Sequence, residues 1–358
     1  MHYIIYAPRR QVTGTNLHRM TLPERAAVSG TQKTPPIADN VDVHAEADRG
    51  RLAFRPGAMP LRGWRDVLIR AFGGVFEDRI FALAAGVAFY AVLAVFPAMA
   101  VTLSVYRLFA DATSVASHLQ LLAGVLPPGA TEILAEQMTP LTQSRPVLGW
   151  TLAGSVIISV WSANAGVAAF FDALNVMYRE QEKRPLWRFY ATSLLFTLLA
   201  IVFLALALGA VVVFPVALNF FGWASSEKQI VALARWPFMY VILVLVLMVF
   251  YRYGPSRRRT QWRWVSWGSI IAGVLWIGVS MAFSRYVASF DGYNRMYGSL
   301  GAIIAFMVWL WLSSVTALLG AKIDAEAELQ TVRDTTTGDE RPLGQRGAYV
   351  ADNLEQSP

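Results

Sequence analysis

The densest group of chemically capable side chains is the run SFDGYNRMYG at residues 289–298. Carboxylate, amide, guanidinium and phenol groups in one tight turn could bind a polar lipid headgroup or close a cavity. The run could equally be a self-capped hairpin, because Asp and Asn side chains satisfy free N–H groups at helix starts. Both interpretations stay open. The candidate headgroup ligands here are Asp291, Tyr293, Asn294 and Tyr297.

Further polar candidates lie inside apolar stretches of the chain. Arg285 lies about 32 Å along its stretch, where a long side chain can reach the interface or face a cavity. Asp172 lies near the opposite interface. Charges within a membrane are costly and often functional, so binding and interfacial solvation both stay open for these two residues. Asn164 and Tyr90 complete the candidate substrate site, although neutral polar groups more often bond neighbouring helices.

Groups for common enzyme chemistry are scarce. The chain has no cysteine and four histidines, and no His, Asp and Glu residues have the spacing of metal ligands. A glycine-rich phosphate loop of the Walker type is also missing from the sequence. We therefore expect no enzyme activity, no metal and no cofactor.

The elements that must position these residues are strongly apolar. Of 358 residues, 55% are hydrophobic and 15% charged, against about 25% charged in a soluble domain. Six stretches approach or exceed the roughly 20 apolar residues that cross a bilayer. Proline removes a helical hydrogen bond, so Pro97 and Pro215 are candidate hinges in the long first and third stretches. The predicted spans are 81–109, 147–177, 189–222, 237–253, 264–290 and 299–321.

The distribution of Lys and Arg predicts the orientation. If the N-terminus is inside, the inner segments 51–80, 178–188, 251–263 and the tail from 322 hold nineteen of these residues, and the outer loops hold five. Positive charge marks the cytoplasmic side. The predicted fold is an all-α integral membrane protein with six transmembrane helices and both termini cytoplasmic. The cluster at 257–259 lies between two spans, which favours a topogenic or anionic-lipid role. We expect no nucleic-acid partner.

The segments that flank the membrane domain at 81–322 are polar. Residues 1–60 are predicted to be disordered, and so is the part of the cytoplasmic tail (323–358) that follows Glu328. Residues 61–80 predict an amphipathic interfacial helix, with a Leu/Trp/Phe stripe on one side and Arg62, Arg65 and Arg70 on the other. Four charged residues predict a helix end exposed at the interface, namely Lys322, Asp324, Glu326 and Glu328.

Several short motifs follow one another over about residues 70–322. They are LAAGVAFY at 83–90 followed by Phe96-Pro97, WSANAGV at 161–167, ALN at 173–175 with Tyr178, FSRYV at 283–287, YN at 293–294, YGSLG at 297–301, WL at 309–310, and LGA at 319–321 followed by Ala325-Glu326. In this order the motifs resemble the YihY/BrkB family of inner-membrane proteins. The sequence departs from the family pattern at Ala94, where serine is frequent, and at Lys322 and Asp324, where an acidic residue and asparagine are usual.

The resemblance implies a six-span protein of the bacterial cytoplasmic (inner) membrane with both termini inside, in agreement with the charge count. Family members are associated with serum resistance, envelope lipid traffic and salt-related transport. We therefore expect a transporter or flippase-like protein for a lipid, amphipathic or small anionic substrate, with membrane lipids as partners. The alternative is a non-catalytic scaffold in cell-envelope assembly, which docks an envelope protein through the outer loop at 110–146. The family's ribonuclease label has no support in these residues.

Overall fold

The computed structural model describes residues 46–106, 150–201, 225–289 and 299–355. Over these ranges the chain is helical, with no β-strand and one isolated bridge between Thr260 and Thr336. The predicted all-α class is confirmed for this part of the chain. The helices are α1 Leu61–Glu77, α2 Ile80–Tyr106, α3 Trp150–Met177, α4 Leu186–Ile201, α5 Ser225–Tyr253, α6 Trp262–Ser289, α7 Ser299–Glu328 and α8 Tyr349–Asp352.

Local chemistry explains where the helices begin and end. α1 and α3 each stop just before an arginine in the left-handed region, Arg79 and Arg179, both with φ 54°. α4 begins directly after Pro185, whose fixed φ suits a helix start. α7 continues past the predicted end at residue 321, because the Ala, Lys and Glu residues that follow Gly320 are strong helix formers.

Three described helices contain an apolar stretch long enough to cross a membrane, and three contain a shorter one. Each of the six stretches overlaps one predicted span. α5 starts at Ser225 and runs through Pro237, so it is longer than the predicted span 237–253. The long stretches are Ile157–Met177, Trp262–Val287 and Ile303–Glu328, and the shorter ones are Ile80–Ala94, Leu186–Ile201 and Pro237–Tyr253.

The helices pack as two close pairs, α2 with α3 and α6 with α7, and α7 also packs against α2. Gly268 of α6 and Gly320 of α7 allow the second pair to touch. A Cβ on either glycine would overlap the carbonyl oxygen of the other. Two tryptophan–serine hydrogen bonds also join α6 to α7, Trp276 to Ser313 at 2.9 Å and Trp309 to Ser280 at 3.3 Å.

The faces of α1 differ in part from the prediction. Its buried side carries small or polar residues such as Gly63, Asp66 and Gly74. Leu61 and Phe76 of the predicted apolar stripe are 88% and 78% exposed, as an interfacial helix requires. The placement of Arg70 on the solvent side is wrong, because its guanidinium group points into the protein and binds Glu326.

The prediction of disordered tails is wrong for residues 46–60 and 329–355, which are folded against each other. Val332 N donates to Arg51 O at 2.9 Å, and Gln330 Nε2 donates to Arg49 O at 2.9 Å. Arginine side chains bond backbone carbonyl groups, so a polar segment packs without many apolar residues. The predictions for residues 1–45 and 356–358 lie outside the described residues.

Candidate functional site: a buried charged layer

The last two turns of α7 are buried on all sides. Because α1, α6, the end of α3 and residues 329–355 surround these turns, the prediction of an exposed charged end is wrong. Lys322, Asp324, Glu326 and Glu328 are each at most 2% exposed. With side chains from the neighbouring segments they form a set that we call the charged layer: Arg70, Asp78, Arg179, Arg257, Lys322, Asp324, Glu326 and Glu328.

Glu326 is the centre of the first half of this layer. Its carboxylate receives Lys322 Nζ at 3.0 Å, Arg179 Nη2 at 3.2 Å and Arg70 Nε at 2.9 Å. Lys322 Nζ also contacts Asp78 Oδ2 at 2.6 Å. One carboxylate therefore joins α1, α3 and α7 through charged groups.

The second half of the layer is the pair Arg257–Glu328, whose side chains are both 0% exposed. Two guanidinium nitrogens lie 2.9 and 3.1 Å from the carboxylate oxygens, and Thr335 Oγ1 donates to the same carboxylate at 2.7 Å. Burial alone would lower the pKa of Arg257, but the neighbouring Glu328 carboxylate raises it above its usual value. The predicted anionic-lipid role is therefore wrong for Arg257, because its side chain is fully buried against Glu328. Its predicted topogenic role stays a prediction.

Aromatic groups line the same half of the layer. The Arg257 guanidinium lies 4.0 Å from the centre of the Tyr178 ring, a favourable cation–π distance. Burial raises the pKa of Tyr178 well above its usual value, so its hydroxyl stays neutral. Tyr251 is also fully buried and donates its hydroxyl proton to Ala317 O.

Three segments cover the layer, and we call them the cap: residues 46–60, 254–261 and 329–355. Arg346 is its main internal link, because its guanidinium donates to four backbone carbonyl oxygens. Glu355 joins the cap to the layer through an ion pair with Arg179. Arg51 adds a hydrogen bond from Nη2 to Glu355 O at 2.7 Å.

The predicted binding residues that the structure describes lie on three helices, Tyr90 on α2 beside Gly166 of α3, Asn164 on α3, and Arg285 on α6. Asn164 is buried on α3 and accepts a hydrogen bond from Thr197 Oγ1 of α4 at 3.3 Å. Tyr90 lies partly exposed on α2, next to Phe89. Arg285 is exposed and lies 23 residues beyond the start of α6, about 35 Å from the charged-layer end of that helix.

Four site predictions lie outside the described residues, and so does one hinge. α2 continues through Pro97 from Ile80 to Tyr106. Asp172 is exposed on α3. The predictions outside the described ranges concern Asp291, Tyr293, Asn294, Tyr297 and Pro215.

Sequence analysis missed the charged layer, although one signal pointed to it. Charges at positions i, i+2, i+4 and i+6 of a helix lie on two opposite faces, because i and i+4 share one face and i+2 and i+6 share the other. Such a helix end has no single polar face for solvent, so either all of it is exposed or charged partners surround it. The partners lie far apart in the sequence, and the sequence does not pair them.

In the ranges that the structure describes, no group of three His, Cys, Asp or Glu residues could hold a metal ion. The sequence model of the Virulence factor BrkB family matches residues 71–343, about three quarters of the chain. The chain belongs to the BrkB family. The match runs past α7 to residue 343, so it includes every member of the charged layer except Arg70, together with residues 254–261 and 329–343 of the cap.

One relative supports this membership. The ribonuclease-like protein YfkH of Bacillus subtilis (strain 168) is 30% identical over 203 residues, which cover 55% of this chain and 73% of that protein. No solved structure matches this chain. The predicted YihY/BrkB resemblance is confirmed, and it describes a helical, apolar membrane protein.

Proposed function

We propose that this BrkB protein crosses the bacterial cytoplasmic membrane six times, with the charged layer and the cap on the cytoplasmic side. The unequal distribution of Lys and Arg and the six apolar stretches support this topology. The chain has no cysteine, so single engineered cysteines report the sidedness without background. We expect Glu340→Cys to react with an impermeant maleimide only after permeabilisation, and Ala130→Cys to react in intact cells. Labelling of both from one side would contradict the topology.

We further propose that the protein moves a lipid, an amphipathic molecule or a small anion across the membrane. The observation that carries this proposal is the ion-pair cluster around Glu326, which connects α1, α3 and α7 at one end of the bundle. Charges buried between helices are costly, and apolar packing would hold a static bundle equally well or better. Ion pairs can exchange for water when the helices separate. The cluster therefore suits a path that opens and closes at this end.

Polar groups farther along the helices give additional support. Asn164, Thr197 and Ser193 are buried between α3 and α4, and the Thr197 hydroxyl donates to Ser193 O at 2.8 Å. These groups are neutral, which suits the passage of an amphipathic molecule better than that of a bare ion. They also suit ordinary helix packing, so this support is weaker than that of the ion-pair cluster.

The test is reconstitution of the full chain into liposomes that contain fluorescent anionic or zwitterionic lipids, with a parallel assay of anion flux. We expect movement above protein-free liposomes, and a changed rate in Glu326→Gln because the cluster loses its central charge. Glu77→Gln is the matched control, because Glu77 is exposed at the end of α1. Failure to move any lipid or anion would refute the transport proposal.

A scaffold in cell-envelope assembly is the second candidate function, and the cap favours it. The cap forms a cleft of about 240 Å³ lined by residues that include Phe54, Arg263 and Arg333. Phe54 and Tyr349 are exposed on the cap surface, and exposed aromatic side chains are frequent in protein interfaces. Stable crosslinking of an envelope protein through a photoreactive group at position 349, lost when Phe54→Ala is added, would support the scaffold. Crosslinking that is equal in both would contradict it.

We propose that the protein is not a nuclease, although the Bacillus relative carries a ribonuclease-like name. Supporting this, the described ranges contain none of the histidines, and the whole sequence contains only four. Purified protein with added divalent metal should leave RNA intact. Cleavage that follows the protein through purification and disappears in a point variant would refute this proposal.

A further inference from the structure

Asp324 has an unusual environment within the charged layer. It is 1% exposed and lies three residues beyond the predicted end of the sixth span at 321. Its Oδ1 accepts a hydrogen bond from Gly268 N at 2.7 Å. Its Oδ2 is buried and has no hydrogen-bond partner in the described chain. Asp324 also forms no ion pair with any described residue, in contrast to Glu326 and Glu328.

The charged and titratable groups around Asp324 come from four segments. Tyr178 lies at the end of α3, Tyr251 on α5, Arg257 in the α5–α6 connection and Glu328 on α7. α6 contributes the Gly268 N–H group and no charge at this contact. Asp324 interacts electrostatically with Arg257, but both terminal nitrogens of that guanidinium are bound to Glu328. The opposite charges of Arg257 and Glu328 therefore neutralise each other. The negative charge of an ionised Asp324 would have no positive partner.

Lys322 does not supply the missing charge. Its ammonium group is held by Asp78 and Glu326 on the side of α7 that faces α1. An isolated carboxylate in a buried site is far more costly than a neutral acid, because it loses its hydration and gains no partner. The neutral acid can keep the hydrogen bond from Gly268 and adds an O–H donor at the second oxygen.

We propose that Asp324 is a proton-binding site. Oδ2 takes a proton from a hydronium ion and forms an O–H bond, which leaves a water molecule and a neutral carboxyl group, while Oδ1 keeps its hydrogen bond from Gly268. The Tyr178 hydroxyl has no hydrogen-bond partner in the described chain either, and it interacts electrostatically with Asp324. The proton leaves when water enters the layer and solvates the carboxylate.

The consequence for transport rests on the proposed function. If the layer opens during transport, Asp324 binds a proton in the closed form and releases it in the open form. Each cycle then carries a proton, and a pH gradient drives the substrate. The site itself does not depend on transport, so the two ideas can fail separately.

The test of the site is infrared spectroscopy of the purified full chain in lipid nanodiscs, between about pH 5 and pH 8. We expect a carbonyl stretch of a protonated carboxyl group at neutral pH that shifts in D2O. The band should be lost in Asp324→Asn, which is isosteric with the neutral acid. Asp339→Asn is the control, because Asp339 is exposed in the cap, and it should keep the band. Equal spectra for wild type and Asp324→Asn would overturn the proposal.

A second variant keeps the test decisive if Asp324→Asn does not fold. Tyr178→Phe retains the carboxyl group and removes the neighbouring hydroxyl, so the band should move without being lost. A band unchanged in position would overturn the role of Tyr178. Sodium provides another check at constant ionic strength. A rise in melting temperature with sodium but not with choline, absent from Asp324→Asn, would overturn the proton assignment in favour of a metal cation.

The liposome assay separates this inference from the proposed function. Transport that follows a pH gradient in wild type and Asp339→Asn, but not in Asp324→Asn, supports both. An infrared band without any transport supports the proton site and refutes the transporter. Transport that ignores the pH gradient overturns the coupling.

Discussion

The two parts of α7 bury opposite kinds of residues. Between Ser299 and Ala321 the helix is apolar, yet Met307 and Val308 remain more than one third exposed. From Lys322 to Glu328 every residue is buried, although four of the seven carry a charge. A helix of a soluble protein shows the reverse pattern.

The difference teaches which interactions close the bundle. Lipid surrounds apolar side chains at little cost, so apolar residues in the membrane do not need protein neighbours. Charges need partners wherever they are buried. The cap and the ends of α1 and α3 therefore gather around the charged end of α7. The ionisable residues determine where the protein is tightly packed.

The largest expected effect comes from removing one partner of the fully buried ion pair. Arg257→Ala leaves Glu328 buried without its cation and should destabilise the protein by about 3–5 kcal/mol. Unfolding in denaturing detergent, followed by circular dichroism, measures the loss. The double variant Arg257→Met/Glu328→Leu is the control and should recover most of the stability. If Arg257→Ala is as stable as wild type, the charged end of α7 does not depend on this ion pair, and the contrast between the two parts of α7 fails.

A smaller effect is expected where α6 and α7 touch. Gly268→Ala places a methyl group against the Gly320 carbonyl and Asp324, and overpacking of this kind costs about 1–3 kcal/mol. Gly278→Ala is the matched control on the same helix, since nothing lies within 4 Å of its added Cβ. Thermal melting in detergent should show a lower midpoint for Gly268→Ala than for wild type, and an unchanged midpoint for Gly278→Ala. Equal midpoints would show that the close approach does not matter for stability.

The tryptophan–serine hydrogen bonds between the apolar parts of α6 and α7 should contribute less to the free energy of unfolding. Trp276→Phe removes the bond to Ser313 and should cost about 1 kcal/mol. Trp161→Phe is the control, because the Trp161 ring is largely exposed and forms no hydrogen bond within the described ranges. The free energies of unfolding of Trp276→Phe and Trp161→Phe are compared by denaturation in the same detergent. A larger loss of stability for Trp276→Phe than for Arg257→Ala would show that the apolar part of α7, and not its charged end, holds the protein together.

The smallest effect concerns acid pH and a carboxylate outside the layer. Burial opposes ionisation of Glu182, but hydrogen bonds from Arg184, Asn175 and Ser256 lower its pKa from 4.5 to about 2. A lowered pKa means that the stabilisation is complete above about pH 4.5 and is lost as the pH falls through about 2. Glu182 is exposed, so solvent reduces the effect. Glu182→Gln should flatten the pH dependence of melting in this range, and an unchanged pH profile would contradict the assignment.

Much of the helical fold could be predicted, because long apolar stretches have few alternatives in a membrane. The six apolar stretches and the BrkB motifs were readable in this way. The charged layer was not, because its ion pairs join residues far apart in the chain, such as Arg70 and Glu326, separated by 256 positions. The folded cap was also missed. Its few buried apolar side chains are joined by the bonds of Arg346 to backbone carbonyl groups, and composition alone does not distinguish such a segment from a disordered one.

The pairing of the two flanking segments has a consequence for biosynthesis. Arg51 bonds Gln330 O across 279 positions, and Glu355 supplies the last contact to Arg179. The ribosome must therefore complete residues 329–355 before the cap can close. Until then, the Glu328 carboxylate lacks the Thr335 hydroxyl that binds it in the folded protein, and water must take its place. A nascent chain that stops before residue 329 would therefore expose the charges that the complete chain buries.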